Sequence, residues 1–242
     1  VTVRHTDGSE EDYAITRAAV VQTNTTVSAA DGVGYIDCDS FGTQTGTYFQ
    51  DGVRKYDSAV RTWIVDLRGN SDGLTAAAVT ALGTFSGAGE LVYFVDQSGE
   101  SSAQRYDGKD LTDKPAIVLV DSGSASASEI LAGAIRDNHA GLLVGTKTFG
   151  KGVVQSSLEF ADGSGMKVTT ARYYTPSGEC IHEIGIEPDV EVELDEDAVT
   201  RYGINNLPHD HDAQLQKAIE LLGGTPVLTT ATPDEADAAE EK

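Results

Sequence analysis

The chain has 242 residues, 39% hydrophobic and 7% aromatic, an ordinary globular composition with length for one sizeable core plus small appendages. Seventeen Lys and Arg against 39 Asp and Glu give a formal charge of −22, which repels DNA, RNA and anionic lipid and argues against nucleic-acid or membrane-surface partners. No apolar run reaches the ~20 residues that a bilayer-spanning helix requires.

In chain order, VTVRHTDGSEEDYAITRA (1–18) predicts two short strands around an Asp-Gly turn. Its start, without Met or a leader, reads as the cut end of a longer precursor. GVGYIDCDSF (32–41) is a strand, and TGTYFQDGVRKYDSAV spaces Phe49, Val53 and Tyr56 as a helix that Gly52 weakens. RTWIVDLRG is a short apolar run ended by charge, a buried strand. LTAAAVTALGTF then reads as a helix, and ELVYFVD and PAIVLVDSG as strands. SASEILAGAIRDN follows as a serine-capped helix with Ile130, Leu131 and Ile135 on one face, and GLLVGT as a further strand. Beyond residue 152 come consecutive strands, VVQSSLEF, MKVTTARYYT and VEVEL. DAQLQKAIELLGG is a surface helix stopped by glycines, and the acidic, aromatic-free tail predicts disorder. Strands alternating with helices make this an α/β protein: a layered core with a partly parallel sheet, plus a mainly β C-terminal part. Cys38 and Cys180 have no metal-like spacing and are open to pairing or to remaining free.

GTKTFGKG (145–152) mimics a phosphate-binding loop, but Gly152 stands where that loop needs a Ser or Thr for Mg²⁺, and a strand rather than a helix follows. Nucleotide binding is therefore not expected. Lys151, flanked by two glycines and by apolar Phe149, Val153 and Val154, is expected to be partly buried. A lysine with a pKa lowered by burial from its reference of ~10.4 can act as a general base.

A partner for it lies in DSGSASASEI (121–130), where an apolar strand turns into a helix. Small side chains leave the backbone accessible there, and the first helix amides are unsatisfied donors that suit an oxyanion. Ser124 or Ser128 also fits an N-cap. Among the histidines, His209 and His211 lie in a polar segment near the tail, His139 caps a helix end, and only His182 stays open as a base.

VDLRGNSDGL, GSASASEILAGAIRDN, VGTKTFGKGVVQ and LEFADGSGMKVTTARYYTPSGECIHEIGIEPDVEV together resemble the C-terminal processing, or tail-specific, serine peptidases, over roughly residues 30–195. These use a Ser-Lys dyad on a crotonase/Clp-protease-like fold. The resemblance implies Ser126 as nucleophile, Lys151 as general base, Gln155 beside the dyad, and the amides of Gly73 and Ala127 as oxyanion donors. Thr148 and Asp137 match positions important for activity, although a loop hydroxyl and a helix-end carboxylate have ordinary structural uses. It further implies a protein or peptide substrate cut near its C-terminus, an extracytoplasmic bacterial setting, membrane association only through segments outside this chain, and no metal or organic cofactor. Residues 1–18 resemble the last hairpin of a PDZ domain, ahead of a catalytic core over 19–222 and a tail over 223–242. One departure stands out: Asp72 occupies the first position of the family's Gly-Gly pair. It favours the competing reading, a catalytically weak peptide- or ligand-binding module.

Overall fold

The computed structural model describes residues 1–16, 24–86, 89–106 and 109–223, the side chains of 89–91 left aside. The tail expected to be disordered lies, from residue 224, outside the described residues. β1 (Thr2–Arg4) and β2 (Glu10–Asp12) form the expected antiparallel hairpin, a fully exposed two-stranded sheet. A second hairpin joins β3 (Thr25–Ala30) to β4 (Val33–Cys38) through Asp31 and Gly32, at φ 50° and 79°, as a two-residue hairpin turn requires. Its first strand, TTVSAA, lacks large apolar residues, so only the Asp-Gly after it announces a turn.

The chain continues through α1 (Thr45–Tyr56), β5 (Thr62–Asp66), α2 (Thr75–Leu82), β6 (Gly89–Asp96), β7 (Ser101–Tyr106), β8 (Ala116–Val120), α3 (Ala127–Asp137) and β9 (Gly141–Gly145). β10 (Val153–Glu159), β11 (Gly165–Tyr174), β12 (Val190–Glu191), α4 (Glu196–Tyr202) and α5 (Ala213–Leu221) complete it. The sequence does not announce β7, which is polar and mostly exposed, or the short α4, which the Asp195 side chain caps.

The main sheet has six strands in the order β12-β9-β8-β5-β4-β3, parallel throughout except for β3 against β4. Alternation along its central strands builds a core on each face. Trp63, Val65, Val118 and Val120 pack with Phe49, Ala78, Leu131 and Ile135 of the α1–α3 layer. Ile64, Ile117 and Leu119 point the other way, onto Leu215, Ala218 and Ile219 of α5. β10 and β11 extend a second, antiparallel sheet, β10-β11-β6-β7, whereas β12 joins the main sheet. Cys38 and Cys180 are both free thiols, and burial pushes Cys38 up to about 12, so it remains an inert thiol.

α5 is tied to the sheet by a buried ion pair. Arg68, at the end of β5, donates to Asp66 (2.6 Å) and to both oxygens of Asp212 (2.8 Å each), whose side chain also caps α5 at Leu215 N. The Asp66 carboxylate further accepts the Tyr35 hydroxyl at 2.5 Å. Asp37 stands beside Asp66 in register. Burial first, then the Asp66 and Asp39 charges, push its carboxyl up to about 6 against the pull of Arg68. A carboxyl raised in the folded state favours folding while protonated, and that contribution is lost as pH rises through about 6. Asp37→Asn should therefore raise stability at pH 8 by on the order of 1–2 kcal/mol after solvent screening, with the gain gone below about pH 4. Urea unfolding of both proteins at the two pH values checks this, and an equal gain at both would refute it.

Candidate active site

Three adjacent parallel strands, β5, β8 and β9, each end in one of the motif-bearing loops: 67–74, 121–126 and 146–152. Parallel strands deliver their following loops to the same edge of the sheet, which is why segments distant in sequence meet. The loops are stitched by backbone and side-chain contacts. Asp121 accepts the amides of Gly69 and Gly123 (2.9 Å each). Ala125 N and Ser128 Oγ both donate to the Asn70 carbonyl (3.0 and 2.9 Å), and Phe149 N donates to the Ser124 carbonyl (3.0 Å).

Ser126 immediately precedes α3 with φ 59° and ψ −113°. A non-glycine residue held there stores about 1–3 kcal/mol of strain, which the surrounding structure has to hold in place. Neither Ser124 nor Ser128 is the N-cap that the sequence allows. Ser124 Oγ donates to the Leu67 carbonyl (2.8 Å) and Ser128 Oγ to Asn70, so both serve to join loops. At the other end His139 does close the helix, at φ 57°: its amide reaches the Arg136 carbonyl and Ala140 N the Ile135 carbonyl, the paired bonds of a Schellman ending.

The residue that organises the site is one the sequence reading passed over. Glu129, fully buried, accepts Thr148 Oγ1 (2.6 Å) and Gly150 N (2.7 Å) on one oxygen. Its other oxygen accepts the amides of Ser126 (3.0 Å) and Lys151 (2.8 Å). Tyr173 completes the clamp from β11, its hydroxyl shared between the carbonyls of Ser126 (3.1 Å) and Lys151. Burial and then the Glu129 charge push that phenol well above its ordinary range, so it remains a donor. The backbones of Ser126 and Lys151 are thus pinned to each other by a buried carboxylate and a buried phenol. A glutamate three residues into a helix, on its otherwise apolar buried side, was the available signal.

Thr148, 4% exposed, passes this order outward by accepting Ile186 N (2.7 Å). The glycines around Lys151 let the backbone pass tightly: Gly150 has φ 90°, and a Cβ on Gly152 would stand 2.6 Å from His182 N. The Lys151 side chain is 37% exposed and lies 3.8 Å from Asp72 Oδ1, so its burial is partial. Gly73, at φ 143°, pairs with Phe41 so closely that a Cβ would fall 2.4 Å from the Phe41 Cβ, which reserves this position for glycine. The Ala127 amide donates to no acceptor among the described residues. Gln155 is exposed on β10, beside a bulge at Val154/Gln155, and its side chain makes no hydrogen bond among the described residues.

Asp137 sits at the far end of α3, about 16 Å along the helix from Ser126 at 1.5 Å per residue. Burial alone would raise its carboxyl, but hydrogen bonds from Thr175, Ser177 and Arg136 outweigh that and hold it low, a role in the frame. His182 packs its backbone on Gly152, its Nδ1 is buried without a partner, and no hydrogen bond joins it to Ser126 among the described residues.

The sequence pattern of Peptidase family S41 matches residues 32–192. The carboxyl-terminal-processing protease of Synechocystis sp. is 42% identical over 162 residues, 67% of this chain and 37% of that relative. The chloroplastic C-terminal processing peptidase of Tetradesmus obliquus is 38% identical over 168 residues, 69% of this chain and 36% of the relative. Among solved structures, the photosystem II D1 C-terminal processing protease superposes with a TM-score of 0.67 at 32% identity, covering 82% of this chain and 57% of that one. The chain spans well under half the length of these curated relatives.

Proposed function

The chain belongs to peptidase family S41, and on that premise we propose that it is the core of a serine endopeptidase cutting proteins near their C-termini. The observation that carries the proposal is the shared tethering of Ser126 and Lys151 by Glu129 and Tyr173. Lys151, as the free amine, takes the Ser126 proton while Oγ adds to the scissile carbonyl carbon. The Gly73 and Ala127 amides receive the negative charge that forms on the carbonyl oxygen. The lysine ammonium then gives its proton to the leaving nitrogen as the C–N bond breaks, and water releases the acyl group by the same steps. Gln155 borders the dyad, Thr148 steadies Glu129, and Asp137 holds the far end of α3.

β10 is an edge strand that begins just after Lys151, so a substrate laid beside it as an added strand runs toward the dyad. Exposed Leu74, Phe149 and Ile184 on the neighbouring loops supply apolar surface for its side chains. The proposed setting is the bacterial cell envelope, outside the cytoplasm. Named relatives include bacterial and chloroplast processing proteases, and no helix among the described residues is long and apolar enough to cross a membrane. The exposed β1–β2 hairpin is proposed as the end of a PDZ module that delivers substrate, ahead of a core over 19–222.

The test is cleavage of casein, followed on gels over hours, by the wild-type chain and by Ser126→Ala and Lys151→Ala, with folding checked by circular dichroism. Cutting by the wild type alone is expected. Equal cutting by folded Ser126→Ala would remove the serine from the mechanism. The competing reading, a binding module without turnover, is favoured by the contacts of Asp72 with Gly73 and Lys151, and predicts that none of the three cuts.

A further inference from the structure

Elsewhere, three aspartates in tight turns use their carboxylates in one way. Asp7, Asp96 and Asp162 each accept the amide two residues on, from Ser9, Ser98 and Ser164, at 2.8–3.0 Å, the usual Asx turn. Asp72 differs. The amide two residues on, Leu74 N, is committed to the Phe41 carbonyl at 2.8 Å. Asp72 Oδ1 instead accepts the adjacent Gly73 N at 2.8 Å. The same oxygen lies 3.8 Å from Lys151 Nζ. One carboxylate oxygen therefore engages both the amide assigned to the oxyanion and the amine assigned as base.

We propose that the Asp72 carboxylate is a built-in competitor of the substrate: it occupies the Gly73 amide and holds the Lys151 ammonium in the resting site, and a scissile carbonyl must displace it before acylation. The proposal rests on Ser126, Lys151 and the Gly73 amide having the roles proposed for them. An acid product of peptide cleavage would present the same chemistry, a carboxylate oxygen between an amide donor and a lysine ammonium, so Asp72 acts as a tethered product mimic. The hold is weak by construction. The Asp72 side chain is 78% exposed and the lysine 37% exposed, and ion pairs so open to water are screened by salt and readily exchanged. Asp72 thus slows the first attack without abolishing it. While it is engaged the oxyanion position has lost one donor and the lysine is drawn toward Asp72.

The experiment measures the rate at which a fluorophosphonate labels the folded chain. Ser126 Oγ forms a bond to phosphorus as fluoride leaves, with its proton passing to Lys151, so the readout needs neither a delivery domain nor a protein substrate. Wild type, Asp72→Gly and Asp72→Asn are compared at low and high salt, with Ser126→Ala as the zero. Glycine removes both contacts. Asparagine keeps an oxygen for the Gly73 amide and the backbone preference of the native residue, but lacks the charge that holds Lys151.

Labelling of Asp72→Gly about tenfold faster than wild type is expected, since a full oxyanion donor is worth 10²–10³ in rate and this one is only loosely occupied. Asp72→Asn should fall between, and salt should accelerate the wild type while leaving Asp72→Gly unchanged. Labelling of Asp72→Gly but not of the wild type would support the same conclusion. Equal rates for the reactive chains, or a slower Asp72→Gly, would overturn the competitor role and leave the serine peptidase standing. Failure of every folded chain to label would overturn both.

Discussion

Replacing Glu129 with glutamine is expected to lower kcat on an unfolded protein substrate about a hundredfold with KM little changed, and to cost roughly 2–4 kcal/mol of stability. The carboxylate accepts four bonds, from Thr148, Gly150, Ser126 and Lys151. A glutamine has the same shape but only one acceptor oxygen. With its NH₂ toward Ser126 and Lys151, two backbone donors face two new donors in a buried site. Turned over, the Thr148 hydroxyl can rotate to accept from the NH₂, but Gly150 N is orphaned. The second orientation is the cheaper, and it leaves the amides of Ser126 and Lys151 sharing an uncharged oxygen. Small shifts in either backbone misplace the attacking hydroxyl or the amine, and sub-ångström errors of that kind cost rate rather than affinity. Steady-state kinetics and chemical unfolding check both halves of the prediction. Loss of stability with kcat intact would show Glu129 to be a bolt in the frame only. No loss of either would contradict the hydrogen-bond geometry.

Arg68→Ala should destabilise the fold by about 3–5 kcal/mol, the typical cost of breaking a buried ion pair from one side. Its side chain is 4% exposed and meets Asp66 and Asp212, themselves buried. Burial would weaken the arginine's charge, but those two carboxylates outweigh it and drive its pKa upward. Removing the cation strands both carboxylates in a dry site, and Asp212 at the N-cap of α5 then draws that helix away from the sheet. Replacing all three groups together, Arg68→Met with Asp66→Asn and Asp212→Asn, should restore most of the loss, because neutral partners need no counter-charge. Denaturant unfolding at pH 7.5 reads both effects. A deficit under 1 kcal/mol at pH 7.5 would show that water reaches the pair.

Much of the layered frame is legible in the residues themselves. TWIVD, AIVLV and GLLVG are short, apolar and bounded by charge or glycine, and they became β5, β8 and β9 in a parallel sheet. SASEILAGAIRDN carries its own amphipathic face and its own ending at His139. What stayed unread lacked a local pattern. β3 is built from small and polar residues and is held by its partner β4. β7 is mostly exposed and owes its conformation to β6.

The site divides along the same line. A lysine between glycines and small residues before a helix leave local traces at Lys151 and in 121–130, and the family resemblance implies Ser126, Ala127 and Gly73. The clamp by Glu129 and Tyr173 leaves only the buried glutamate on an apolar helix face, since its partners lie 22 and 47 residues apart. The engagement of Asp72 with Lys151 and the tie from Arg68 to Asp212 are invisible along the chain. The sequence alone determined most of the elements and the chemical inventory, because periodicity and residue type act over a few neighbours. Only the tertiary structure decided which carboxylate meets which amide and which lysine, because hydrogen bonds and ion pairs are set by separations of a few ångströms. Those exist only once parallel strands bring their following loops to one edge.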